Sequence, residues 1–178
     1  MSSDAVGLND LYRVEDDFID VERDVAAVVG EMHDVDFEAM AAVANVFRVA
    51  AAVRTHMERA VLGPDALSWT GFTALFVLWV WGDQESRHLA ERCGVTRATI
   101  TGVVRTLEGR QLVNRRAHPH DGRVVIVSLT ARGRTTIERL FPLFNRQEAD
   151  VTRRLGGDGR RELAHGLREI LRAIDEPA

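Results

Sequence analysis

The chain has 178 residues, 46% of them hydrophobic, and a formal charge of −4, enough for one good core or for a compact reader plus a helical part. No apolar run reaches the ~18 residues of a membrane span, and the N-terminal stretch is acidic instead of basic and then apolar, so neither a span nor a signal peptide is expected and the expected location is the cytoplasm. The single cysteine, Cys93, excludes an intrachain disulfide framework and a multi-cysteine zinc site.

The charge is unevenly spread. Residues 1–65 hold 14 acidic side chains against 5 arginines, residues 83–134 hold 5 against 10, and residues 135–178 hold 8 of each. An acidic whole therefore hides a local balance of +5, and phosphates respond to the local field within a Debye length of about 8 Å. The basic residues are all arginine, with no lysine, which suits bidentate recognition of guanine and phosphate, though biased codon usage in a GC-rich genome explains it more simply.

In chain order, residues 1–34 read as an acidic N-terminal helical extension, with Leu8, Leu11, Val14, Phe18, Val21 and Val25 recurring at helical steps over 8–29. Residues 35–65 open a helical dimerisation region, with a helix from about Asp36 to Leu62 carrying Met40, Ala44 and Phe47 on one face. Ser68 is a suitable N-cap for a helix whose Trp69, Phe72, Phe76 and Trp79 make an aromatic stripe. That stripe reads as core packing, with part of a pocket for an aromatic effector as the alternative reading.

Residues 66–134 carry the strongest signal. Ser86–Cys93 reads as a short helix with Leu89 and Ala90 inward, and Gly94 supplies the permissive backbone of a tight turn. Thr96 then caps a second helix in which Ile100, Val103, Val104 and Leu107 share the buried side. Arg97, Thr101 and Arg105 lie opposite at i, i+4 and i+8, flanked by Ala98, Thr99 and Gly102. Small residues let such a helix sit deep in a major groove while arginines reach guanine edges.

Arg115 and Arg116 close a first strand, Val124–Leu129 forms a second, and Asp121-Gly122 between them marks a hairpin tip. Arg123 sits where an arginine probes a narrow minor groove, while Asp121 is expected to orient rather than to touch phosphate. The expected fold is therefore mainly α with a small β-hairpin wing, a winged helix-turn-helix joined to an all-helical dimerisation region. The expected DNA-binding residues are Ser86, Arg87, Thr96, Arg97, Ala98, Thr99, Thr101, Gly102, Arg105, Arg115, Arg116, Asp121 and Arg123.

Thr130 caps a long helix to about Leu155, in which Pro142 is expected to make a kink. A last helix from Asp158 places Leu163, Leu167, Ile170 and Ile174 on one side, so residues 135–178 complete the dimerisation region and imply a two-fold homodimer. No nucleophile stands with a base and an orienting group at a catalytic spacing, so no enzyme is expected. His118-Pro119-His120 is a weak metal pair and His33, His56, His88 and His165 are scattered, so no metal and no cofactor are expected.

Three segments resemble the MarR family of bacterial transcription regulators: residues 89–97 (LAERCGVTR), residues 107–115 (LEGRQLVNR), and Asp121-Gly122-Arg123 followed by Val127-Ser128-Leu129-Thr130 and Gly133. The resemblance covers about residues 36–175. It implies a triangular homodimer that binds pseudo-palindromic double-stranded DNA operators, often a repressor released by a small aromatic or anionic effector, with the family's wing motif falling on Asp121 and Arg123. By helix geometry and family analogy the effector residues are Arg48, Arg54, His56, Trp69, Phe72 and Phe76. The extension is similar to that of the urate-responsive branch, which places a tryptophan on its added helix; here no tryptophan precedes Trp69. Cys93 takes a position that family members fill with an apolar core residue, and it reads as a buried, inert thiol. A regulator without small-molecule input, using its extension as an interaction arm, is the alternative.

Overall fold

The computed structural model describes residues 14–15, 18–29, 34–119 and 121–176. Leu8, Leu11, His33 and His120 lie outside the described residues. The chain divides into two compact units, Met1–His56 and Met57–Ala178. The division falls near the end of a helix. Among the described residues no single helix is long and apolar enough to cross a membrane.

In the first unit, β1 (Val14–Glu15) pairs antiparallel with β2 (Phe18–Ile19) and leads into α1 (Asp20–Val29). A continuous helix over 8–29 is thus corrected to a strand pair followed by a helix; β-branched Val14 and Ile19 and aromatic Phe18 favour extended backbone. Helix α2 (Phe37–Met57) begins where the Asp36 carboxylate accepts the Ala39 N–H at 2.9 Å. Glu22 on α1 is only 6% exposed, and its Oε1 accepts from Asn45 Nδ2 at 2.6 Å and lies 3.7 Å from Arg48 Nη1. A buried carboxylate is tolerated when paired and hydrogen-bonded in this way, and these contacts fasten α1 to α2.

The second unit starts at Met57 and continues through a π-helical turn (Glu58–Leu62) and a 3-10 turn (Gly63–Asp65). Helix α3 (Trp69–Trp81) is capped by Ser68, whose Oγ accepts the Gly71 N–H at 3.1 Å. It is apolar nearly all round and buries Phe72, Ala74, Leu75, Val77 and Leu78, as a central helix must. Next come β3 (Gln84–Glu85), α4 (Ser86–Arg92) and α5 (Arg97–Gly109), followed by β4 (Val113–His118) and β5 (Asp121–Leu129). The sheet order is β3-β5-β4, antiparallel throughout, with an irregularity at Ala117/His118. Two strands were expected; the third, β3, is only two residues long and carries no periodic pattern to read.

Helix α6 (Ala131–Val151) runs unbroken past Pro142 and is capped by Thr130, whose Oγ1 accepts the Gly133 N–H at 2.9 Å. A Cβ at Gly133 would lie 1.9 Å from the Leu112 carbonyl oxygen, so only glycine allows this helix to start against the loop before β4. On α6, Phe144 stacks on Phe72 with ring centroids 4.3 Å apart, and Phe141 stacks on Phe76 at 5.4 Å. A 3-10 turn (Arg153–Leu155) leads into α7 (Gly156–Asp175), a helix with no buried residue.

Candidate nucleic-acid interface

The turn between α4 and α5 is closed by backbone bonds from Gly94 to Glu91 and from Val95 to Ala90, with Gly94 at φ +64°. That value lies in the left-handed region, where glycine pays no Cβ penalty. Thr96 Oγ1 accepts the Thr99 N–H at 3.1 Å and starts α5. Ile100, Val104 and Leu107 are at most 2% exposed and seat α5 on the rest of the unit; such side chains contribute about 1.5–3 kcal/mol each on burial. Val103, expected on the buried side, is half-buried instead. The far end of α5 is tied down by Arg110, whose guanidinium donates to the carbonyls of Ala66 (2.9 Å) and Asp65 (2.5 Å), while the Asp65 carboxylate binds Arg139 of α6 at 2.5 Å.

With its inner face fixed, α5 presents Arg97, Ala98, Thr99, Thr101, Gly102 and Arg105 to solvent. Ser86, Arg87, Arg97, Thr101, Asp121 and Arg123 come together with Glu85 and Val124 around one groove of about 610 Å³ between α4, α5 and the wing. The Thr101 hydroxyl donates to the Arg97 carbonyl at 2.7 Å, one turn back along the helix. Asp121 Oδ1 accepts the Arg123 backbone N–H at 3.0 Å, so the carboxylate shapes the strand start, and Arg123 itself is exposed.

The arginines fall into two sets. Arg97, Arg105 and Arg123 make no ion pair or side-chain hydrogen bond among the described residues. Arg87 donates from Nε to Glu85 at 2.8 Å, Arg116 binds Asp83 at 3.2 Å, and Arg115 grips one oxygen of Glu108 through Nε (2.7 Å) and Nη2 (2.6 Å). The Arg115 hydrogen bonds hold the Glu108 carboxyl below its usual range, and Glu108 raises Arg115 in turn. Sequence reading named the arginines but missed their partners. Glu85, two residues before Arg87, was the partner nearest in sequence; Glu108 meets Arg115 across the turn from α5 to β4, and Asp83 meets Arg116 only in the folded sheet.

The suggested effector residues divide between the units. Arg48 is engaged with Glu22 and Asn45, and Arg54 and His56 lie on the exposed side of α2. Trp69, Phe72 and Phe76 belong to the aromatic packing between α3 and α6. Cys93, at the C-terminal end of α4, is half-buried instead of fully buried, and burial pushes its thiol up to about 11. Among the described residues no group of three or more His, Cys, Asp or Glu side chains could hold a metal ion.

A capped helix-turn-helix, an outward arginine-bearing helix and a three-stranded wing define a winged-helix DNA-binding protein. Residues 67–125 match the model of the MarR family. The transcriptional regulator YwaE of Bacillus subtilis is 34% identical over 84% of this chain and 88% of its own length. The M. tuberculosis regulator MosR, solved in complex with DNA, is 30% identical with a TM-score of 0.59, the match covering 75% of this chain and 97% of that one. Bordetella bronchiseptica BpsR, whose DNA binding is regulated by 6-hydroxynicotinic acid, is 27% identical with a TM-score of 0.63, over 72% and 97%. The chain belongs to the MarR family: it is a transcription regulator, not an enzyme.

Proposed function

We propose that this regulator works as a homodimer that reads a pseudo-palindromic operator. Arg97 and Arg105 take base edges in successive major grooves, and Arg123 enters the flanking minor groove. The observation that carries this reading is a helix face built of alanine, threonine and glycine that bears Arg97 and Arg105, with Arg123 on the wing, all three guanidinium groups being unpaired among the described residues. Gly102 adds to it. A Cβ there would meet nothing within 4 Å, so no internal contact calls for a mid-helix glycine that costs about 1 kcal/mol relative to alanine. Close approach of an outside surface accounts for it.

Dimerisation is supported by α7, where Leu163, Leu167, Ile170, Leu171 and Ile174 are all exposed, Ile174 at 73%. Exposed apolar faces of this extent mark association surfaces. In the DNA-competent geometry the two recognition helices stand about 34 Å apart, one turn of B-DNA. A small aromatic or anionic effector that prefers another spacing releases the operator by its differential affinity for the two forms, an analogy drawn from BpsR. The close Phe72–Phe144 stack favours the second reading, a regulator without such an input, because that part of the aromatic stripe is already filled by packing.

Selection of bound fragments from a random duplex pool tests the first reading, which expects enrichment of an inverted repeat with half-sites one turn apart. Enrichment of no sequence, or of a single unrepeated half-site, overturns it. Thermal unfolding against a panel of aromatic acids, phenols and metabolite anions separates the two readings: stabilisation by any of them supports an effector, and none supports regulation without one.

A further inference from the structure

Four of the five acidic residues in 83–134 are already committed inside the reader: Asp83 to Arg116, Glu85 to Arg87, Glu108 to Arg115, and Asp121 to a backbone N–H. They are not equivalent. Glu108 takes two donors from Arg115 on one oxygen and joins the end of α5 to β4, a geometry that fastens the wing to the recognition helix. Glu85 takes a single donor, Arg87 Nε, and it lines the same groove as Arg97, Thr101 and Arg123. Its backbone is fixed by pairing with Ile126, its side chain is 25% exposed, and His88 Nδ1 stands 3.9 Å from the same oxygen. Arg87 is the looser partner, with 55% of its side chain exposed.

We propose that Glu85 is a built-in competitor for DNA phosphate: it occupies Arg87 within the DNA-facing groove and thereby limits the affinity and salt response of the reader. The inference rests on the DNA-binding reading above. An exposed ion pair is weak, but it need only match what Arg87 gains from a phosphate in water to keep that contact from forming. Sequence-independent affinity grows with the number of phosphates neutralised. A reader whose basic residues are all arginine therefore gains from an internal anion that lowers its hold on arbitrary DNA. Glu85 is a specificity-setting residue in this sense, and its carboxylate also repels phosphate directly.

The test is a salt titration of binding to a mixed-sequence duplex, made with wild type, E85Q, R87A and the E85Q/R87A double variant. The Glu85 side chain makes no backbone hydrogen bond that the strand pairing needs, and thermal unfolding monitors the fold. E85Q is expected to bind more tightly at low salt and to steepen the log–log salt slope by about 0.9 per arginine released, roughly a further 3.5-fold loss of affinity between about 50 and 200 mM salt. In the R87A background the same substitution is expected to change the slope by less than half as much. Glu85→Ala must agree in direction. An unchanged slope in E85Q, or an equal change with and without Arg87, overturns the proposal. Wild type that binds no duplex at low salt would instead overturn the DNA-binding reading itself.

Discussion

The recognition segment and the last helix are built in opposite ways. Across α4, α5 and the wing, the apolar side chains Leu89, Ile100, Val104, Leu107 and Val127 are buried, while Arg97, Arg105 and Arg123 stand without partners among the described residues. Along α7 the apolar side chains stand in solvent, while Arg161 pairs with Asp158 and Arg172 with Glu169. Each segment has satisfied one kind of group and left the other open. The open groups differ as the two partners would: unpaired cations suit a polyanion, and an unburied aliphatic stripe suits a second aliphatic stripe.

The comparison breaks most easily at α7. Leu167→Asp with Ile174→Asp is expected to give a folded monomer, because no residue of α7 is buried, and to lower operator affinity by about 10²–10⁴ through lost bivalency. Sedimentation and operator titration check this; a variant still dimeric places the association surface elsewhere. Next in size, Arg97→Ala and Arg105→Ala are each expected to cost about 1–3 kcal/mol of base discrimination. Arg123→Ala should instead lower affinity evenly and flatten the salt slope by about 0.9 if it meets a phosphate. Unchanged sequence preference in both recognition-helix variants would detach specificity from α5.

Gly102→Ala sharpens the contrast because its two effects should have opposite signs. With open space around the added Cβ, the protein should gain up to about 1 kcal/mol of stability, yet it should bind its operator more weakly. A variant that is stabilised and binds as well as wild type removes close approach as the reason for the glycine.

The smallest effect concerns Cys93. Its thiol is raised from 9.0 to about 11, so the folded state holds the proton more tightly than the unfolded chain. The corresponding stability is fully present below pH 9.0 and is lost as pH rises toward 11. Alkylation of the native protein should accordingly be slow at neutral pH and rise with an apparent midpoint near 11 instead of 9. A midpoint at or below 9 would reopen a redox role.

Much of this was legible before any coordinates. Ser68, Thr96 and Thr130 as caps, Gly94 in the α4–α5 turn and the buried stripe of α5 are local statements, each about backbone groups or side chains within a few residues. The same locality explains the failures. The extension read as one helix because its apolar spacing also fits a short strand pair followed by a helix, and β3 is too short to show a period.

Sequence alone determined where the basic segment lies and which side of α5 is buried, since the charge balance, the capping residues and the helical period are all properties of neighbours along the chain. Tertiary structure decided which arginines remain available and why Gly133 cannot be replaced. Ion pairing and steric exclusion depend on atoms brought within a few ångströms by the sheet and the helix packing, and separation along the chain says nothing about that distance. Arg115 and Arg97 look alike as letters; only Glu108, seven residues from Arg115 and joined to it by a hydrogen-bonded ion pair, tells them apart.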